Sequence, residues 1–173
     1  MSIHIIIDGY NLIRQSNSFS ELDRQDIQVG REALLDALAA YRRIKLHKIT
    51  VIFDGTNAPR FFQHENQIKG INVKFSRKGE LADSLIKRIV NREREKALVV
   101  SSDLDIVNFA AAKGAATIGS SDFEEKITMA IYMDTKGLEI EDEGGWAPST
   151  VKKGPSKRLS KRKRRNRIKI RKL

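Results

Sequence analysis

Four carboxylates in this sequence stand where an α/β protein does chemistry. Ile3-His4-Ile5-Ile6-Ile7 ends at Asp8-Gly9, Ile49-Thr50-Val51-Ile52-Phe53 ends at Asp54-Gly55, and Ala97-Leu98-Val99-Val100-Ser101 ends at Ser102-Asp103-Leu104-Asp105. Short runs this rich in β-branched residues predict strands buried on both faces, and in an open parallel sheet ligands sit beyond the carboxyl ends of the strands. The fourth acid, Asp83, falls at the margin of the apolar stripe Leu81, Leu85, Ile86, Ile89 and Val90, so a helix from Glu80 to about Glu95 aims it along the seam with the sheet. Parallel strands bring Asp8, Asp54 and Asp103 to one rim. Unit charges 4 Å apart repel by about 4 kcal/mol at an effective dielectric of 20, so carboxylates gathered in one cleft call for a cation. An all-oxygen set without His or Cys suits Mg²⁺ or Mn²⁺, which bridges a phosphodiester, activates water and offsets charge on the leaving oxygen.

The elements that must position these acids follow from periodicity. Residues 12–25 are polar and without period, as a loop is. Val29, Ala33, Leu34, Ala37, Leu38 and Tyr41 mark a long amphipathic helix from about Asp26 to Leu46. The connection over residues 55–70 is long for a compact domain, and its Arg60-Phe61-Phe62 interleaves a base with two aromatics. That pattern suits stacking on unpaired bases, although two rings that plug the loop onto the body account for it better. Ile71–Phe75 reads as a third strand. A helix over about Ile106–Lys113, a short strand at Ala115–Ile118 and a helix near Phe123–Met133 complete the pattern. Strands alternating with helices predict parallel pairing and right-handed crossovers, hence a three-layer α/β/α domain with a central, mostly parallel five-stranded sheet over residues 1–136. Residues 137–150 read as an acidic, Gly-containing linker.

Within 173 residues the net charge of +11 is unevenly placed: residues 151–173 hold 13 of the 33 Lys and Arg and no acid, leaving 20 bases against 22 acids elsewhere. A near-neutral body therefore carries a polycation whose natural partner is nucleic acid or another anionic surface. Lys157, Arg158, Lys161, Arg162, Lys163, Arg164, Arg165 and Arg167 are its RNA-contact candidates, joined by Arg60 and Phe61 from the long loop. So much like charge with so few apolar residues predicts disorder over 151–173. There is no cysteine, which excludes disulfides and thiolate metal sites and fits a reducing, cytoplasmic setting. The N-terminal apolar run is too short for a signal peptide or a membrane span.

Other carboxylate chemistries fit less well. A haloacid-dehalogenase-type phosphatase needs a nucleophilic carboxylate where Ile52 precedes Asp54-Gly55-Thr56. A Toprim-like site would use Asp103 and Asp105 but needs a Glu where this chain has Asp8. No phosphate-binding Gly-x-x-x-x-Gly-Lys element follows any strand. His4, His47 and His64 read as structural or surface residues rather than bases. Asn11, three residues past Asp8, suits a metal-bound water or a phosphate and equally a turn. Two acids early in a helix favour its dipole, which explains Glu80 better than Asp83.

Taken together, Ile5-Ile6-Ile7-Asp8-Gly9-Tyr10-Asn11, Val51-Ile52-Phe53-Asp54, Glu80-Leu81-Ala82-Asp83 and Val99-Val100-Ser101-Ser102-Asp103 resemble the NYN domain of the YacP-like nucleases, a branch of the PIN-like superfamily. The resemblance covers about residues 1–135. It implies a PIN-type fold with the first strand central, a divalent-metal site, endoribonuclease activity, and RNA with the ribosome as partners. It further implies Asp8, Asp83 and Asp103 as the acidic core, with Asp105 as a further metal ligand and Asn11, Asp54 and Glu80 as accessory residues. Leu81 departs from the family's usual threonine while both flanking acids remain. Two alternatives stand beside this reading: a non-catalytic RNA- or ribosome-binding module, and a structure-specific DNA nuclease.

Overall fold

The structure is a computed structural model that describes residues 3–59, 65–137 and 160–173. Its centre is the first apolar run, β1 (His4–Asp8), which pairs in parallel with β2 (Lys48–Phe53) on one side and β5 (Ala97–Val100) on the other. Outside these lie β4 (Ile71–Phe75), parallel to β2, and β6 (Ala116–Ile118), parallel to β5. The five expected strands are thus present and mutually parallel. A sixth, β3 (Glu65–Ile68), runs antiparallel to β4 and closes that edge, giving the order β3-β4-β2-β1-β5-β6. It lies in the segment read from sequence as an unbroken loop, because Glu65-Asn66-Gln67-Ile68 shows no apolar run and takes its partner from the neighbouring strand.

Strand periodicity divides the core into two layers. Ile5, Ile7, Val51, Phe53, Leu98 and Val100 face a cluster with Leu12, Ile13, Leu34, Leu38, Tyr41, Phe123 and Ile127. Ile6, Ile52 and Val99 face the other way, onto Ile86, Ile89, Val90, Ile106 and Ala110. The first layer is built by α1 (Gly9–Gln15), α3 (Ile27–Lys45) and α6 (Ser120–Lys136), the second by α4 (Ala82–Glu93) and α5 (Leu104–Ala112). Ile5, Ile6 and Ile7 are fully buried. Truncating such a side chain to Ala costs about 2–5 kcal/mol, and at β1 the loss falls on both layers.

Residues 12–25 are corrected from loop to helix. They complete α1 and form α2 (Asn17–Gln25), whose N-cap Ser16 accepts from the Phe19 N–H and donates to Glu124 on α6. Capping and a tertiary bond hold a helix whose own apolar pattern is sparse. The Gly that follows Asp8 and the Gly that follows Asp54 are required by close approach. A Cβ on Gly9 would fall 2.3 Å from the Phe53 ring, and one on Gly55 1.9 Å from the Ser76 carbonyl oxygen.

The largest correction concerns the basic segment. Residues 160–173 are ordered, with α7 (Lys161–Arg171) packed beside β6. The Asn166 side chain bonds the edge strand as a neighbouring strand would: Oδ1 accepts from the Thr117 N–H at 2.8 Å and Nδ2 donates to the Thr117 carbonyl at 3.3 Å. Leu173 is buried in the main core, and its backbone oxygen accepts from the Tyr41 hydroxyl. Burial holds the Tyr41 hydroxyl far above its ordinary pKa. A sheet edge left bare invites pairing with another chain, and α7 covers this one. Among the described residues no helix is long and apolar enough to cross a membrane.

Candidate active site

Asp8 is the last residue of β1 and the N-cap of α1, its Oδ1 accepting from the Asn11 N–H at 3.2 Å. Asp83 lies in the first turn of α4 and Asp103 caps α5, accepting from the Asp105 N–H at 2.7 Å and the Ile106 N–H at 3.5 Å. The three acids share one electrostatic environment at the carboxyl ends of β1 and β5. Burial pushes the Asp8 carboxyl up to about 6, with repulsion from Asp83 and Asp103 adding to it. Burial likewise raises Asp83, followed by repulsion from Asp103 and Asp105.

The other sequence candidates have local partners. Asp105 pairs with Lys87, one turn after Asp83, so its charge is already countered. The bond to Asp105 raises the Lys87 ammonium, which also feels Asp83 and Asp103 and lies 5.8 Å from the Phe109 ring centroid. Glu80 precedes α4 instead of opening it, and pairs with Arg88 while accepting from the Arg77 N–H. Asp54 caps the turn Gly55–Asn57; the Thr56 hydroxyl and N–H, and the Ala82 N–H at the start of α4, hold its carboxyl below the usual range. Asn11 Oδ1 accepts from the Ser102 N–H at 2.9 Å and the Ser120 hydroxyl at 2.7 Å, tying α1 to the loop after β5 and to α6. Asn11 and Asp54 therefore set the positions of the elements that carry the rim. His4 is buried and bonded to the Thr50 hydroxyl at 2.8 Å, and burial lowers its pKa. His47 bonds the Lys172 carbonyl. Arg60, Phe61, His64, Lys157 and Arg158 lie outside the described residues.

Lys87 and Arg14 are the site residues that the sequence reading missed. Arg14 on α1 lies 5.8 Å from the Tyr10 ring centroid and lowers both Asp8 and Asp54 through its charge. The available signal was spacing: Lys87 follows Asp83 by four residues, and Arg14 lies one helical turn beyond Tyr10.

The donor chemistry suits a hard cation, which would relieve the repulsion at Asp8. The placement is looser than that chemistry asks. Among the described residues no group of three or more His, Cys, Asp or Glu is set to hold a metal ion. As they stand, the acids form an electrostatic cluster rather than a closed ligand cage.

No curated protein matches the chain. Two solved structures of Rae1 (YacP) from Bacillus subtilis share its fold. One, at 20% identity, covers 79% of this chain and 79% of that chain with a TM-score of 0.66. The other, a tryptophan-to-leucine mutant at 18% identity, covers 78% and 80% with a TM-score of 0.65. The family model for the YacP-like NYN domain matches residues 5–172, and so takes in α7 as well as the sheet. With acids at one rim of a parallel sheet and a family match over nearly its whole length, the chain belongs to the YacP-like NYN domain family of the PIN-like superfamily.

Proposed function

We propose that this protein is a metal-dependent endoribonuclease that hydrolyses RNA phosphodiester bonds at the rim formed by Asp8, Asp83 and Asp103. The observation that carries this reading is the repulsion that Asp83 and Asp103 exert on the Asp8 carboxyl, and Asp103 on Asp83, between three separate elements. A structural cap needs only its own helix, whereas mutual repulsion across elements is a cost that a cationic or phosphate-bearing ligand set offsets. Family membership supports nuclease chemistry, and RNA as the substrate class with the ribosome as a partner is what the motif resemblance to the YacP-like nucleases suggests. Mg²⁺ or Mn²⁺ would be held by Asp8, Asp83 and Asp103 and would supply water activation and charge neutralisation.

The chain's own residues define the rest of the site. Lys87 takes Asp105 out of competition for a cation and keeps a positive charge beside the acids, where a phosphate oxygen arrives. Arg14 does the same on the Asp8–Asp54 side. Asn11 holds the β5–α5 loop that carries Asp103 in register with Asp8. The α7 cations add sequence-independent affinity for RNA.

The test is incubation of the purified protein with an RNA pool and Mn²⁺, with and without ribosomes, followed by mapping of the 5′ and 3′ ends. Discrete internal cuts that vanish in Asp8→Asn and Asp103→Asn are expected. Full cleavage by either variant removes the mechanism. The absence of a ready-made ligand group among the described residues favours one second reading, a non-catalytic RNA- or ribosome-binding module. That reading gains if Mn²⁺ neither raises the melting temperature nor permits any cut. Parallel incubation with flap DNA separates a DNA nuclease from both.

A further inference from the structure

The acids and the basic helix occupy opposite ends of the sheet. Asp8, Asp54 and Asp103 follow the carboxyl ends of β1, β2 and β5. Helix α7 meets the same strands at their beginnings. Lys169 Nζ donates to the carbonyls of Glu95 and Ala97, at the first residue of β5. His47, directly before β2, bonds the carbonyl of Lys172. Ile3, directly before β1, shares a groove of about 980 Å³ with Arg92, Lys96, Ile168 and Lys172. Five residues of β1 at about 3.3 Å each set the two ends roughly 15–20 Å apart.

The faces of α7 are divided in the same sense. Arg165 is paired with Glu95, and Asn166, Lys169 and Ile170 turn toward the body. Lys163, Arg164 and Arg167 fall within about 100° of arc on the other side; they are exposed and have no ion pair with a described residue. Because the helix is docked by Asn166, Lys169 and Leu173, these cations form a fixed array, and a ligand bears little of the cost of ordering them.

We propose that this end of the molecule is a second RNA-binding surface, which takes the phosphodiester backbone of a segment remote from the bond being cut. Helix α7 then anchors a long or structured RNA and does not line the cleavage cleft. Charge complementarity selects the occupant: three cations with no ion-pair partner among the described residues share one face, beside a groove whose lining sets Arg92, Arg94, Lys96, Arg165, Lys169 and Lys172 against Glu93 and Glu95, and this net positive surface matches a polyanion. The inference rests on the endoribonuclease reading of the acidic rim. At about 3.4 Å per stacked nucleotide, at least roughly five or six nucleotides separate the two contacts.

The test uses the full chain carrying K163Q, R164Q and R167Q together, in an Asp8→Asn background, with circular dichroism to verify folding. Equilibrium affinity is measured for a structured RNA and for an oligonucleotide of roughly five nucleotides. The preference for the structured RNA over the oligonucleotide should fall about tenfold, and its log–log salt slope should flatten by about two to three. Equal loss on both RNAs would mean that α7 lines the cleft, and unchanged affinity for the structured RNA would mean that this face binds something else; either overturns the inference. Failure of Asp8→Asn to stop cleavage overturns the reading of the rim alone, since the binding comparison stands without turnover.

Discussion

At the carboxyl end of the sheet, like charges are pressed together; at the amino end, like charges are spread over a solvated helix. Asp8 is partly buried, within reach of the charges of Asp83 and Asp103, and its raised pKa records the cost. Lys163, Arg164 and Arg167 stand in water, where charges repel weakly and are screened over about 10 Å at ordinary salt. The acidic end is therefore a place where binding a cation or exchanging a proton releases stored free energy. The basic end holds little such energy and offers a steering field and a docking face instead. One end is suited to chemistry and the other to capture.

Four experiments break or sharpen this contrast, and the largest effect is expected at the rim. Asp103→Asn should lower the rate of RNA cleavage by about a thousandfold, or about 4 kcal/mol of transition-state stabilisation. It should also keep the fold, because Asn caps a helix as well as Asp does. Single-turnover cleavage and a melting curve check the two halves.

Asp8→Asn should stabilise the chelator-treated protein at pH 7 by up to about 3 kcal/mol, the linkage value for a carboxyl held up at about 6 by burial. The folded Asp8 binds its proton more tightly than the unfolded chain does. Native stability should therefore decline as pH rises from about 4 to about 6, and the variant should lack that decline. Urea unfolding across this range reads the difference, and a flat profile in the native protein would break the contrast at its acidic end.

At the other edge, Asn166→Ala strips both side-chain bonds from Thr117 and should cost about 1–2 kcal/mol, with more self-association as β6 is uncovered. Chemical unfolding and sedimentation measure it. For the same reason, deleting the basic segment is a poor test of RNA binding, since the deletion also removes Leu173 from the core. The smallest effect is expected from Lys87→Gln. Freeing Asp105 should tighten Mn²⁺ binding by about threefold, as read by isothermal titration, and weaker binding would assign Lys87 a role in holding the acids in place.

The features legible in the sequence are those whose cause is local. Ile5-Ile6-Ile7 shows a strand buried on both faces because each side chain must find its own apolar neighbours. Asp-Gly after two strands marks where the chain leaves the sheet. Asp8 and Asp103 were readable at one rim because parallel order follows from alternating strands and helices, and Asp83 because the apolar stripe of its helix fixes the seam that it borders. The roles of Asp54, Glu80, Asp105 and Asn11 were not, since each depends on a partner a turn away or across the sheet: Thr56, Arg88, Lys87 and Ser120. The edge strand β3 and helix α2 also escaped periodicity, one being held by β4 and the other by Ser16 and Glu124.

Composition determined that this chain carries a basic segment and a near-neutral body, and hydrophobic patterning determined that the body is a layered α/β domain with carboxylates after its strands. Only the tertiary structure decided that the basic segment becomes a docked helix, because the backbone groups that receive it, at Thr117 on the edge strand and at Glu95 and Ala97 where β5 begins, are brought together only once the sheet has formed. It alone placed that helix at the end of the strands opposite the acids. A one-dimensional reading gives charge and period, whereas the distance between two charged clusters is set by the length and direction of the strands that separate them.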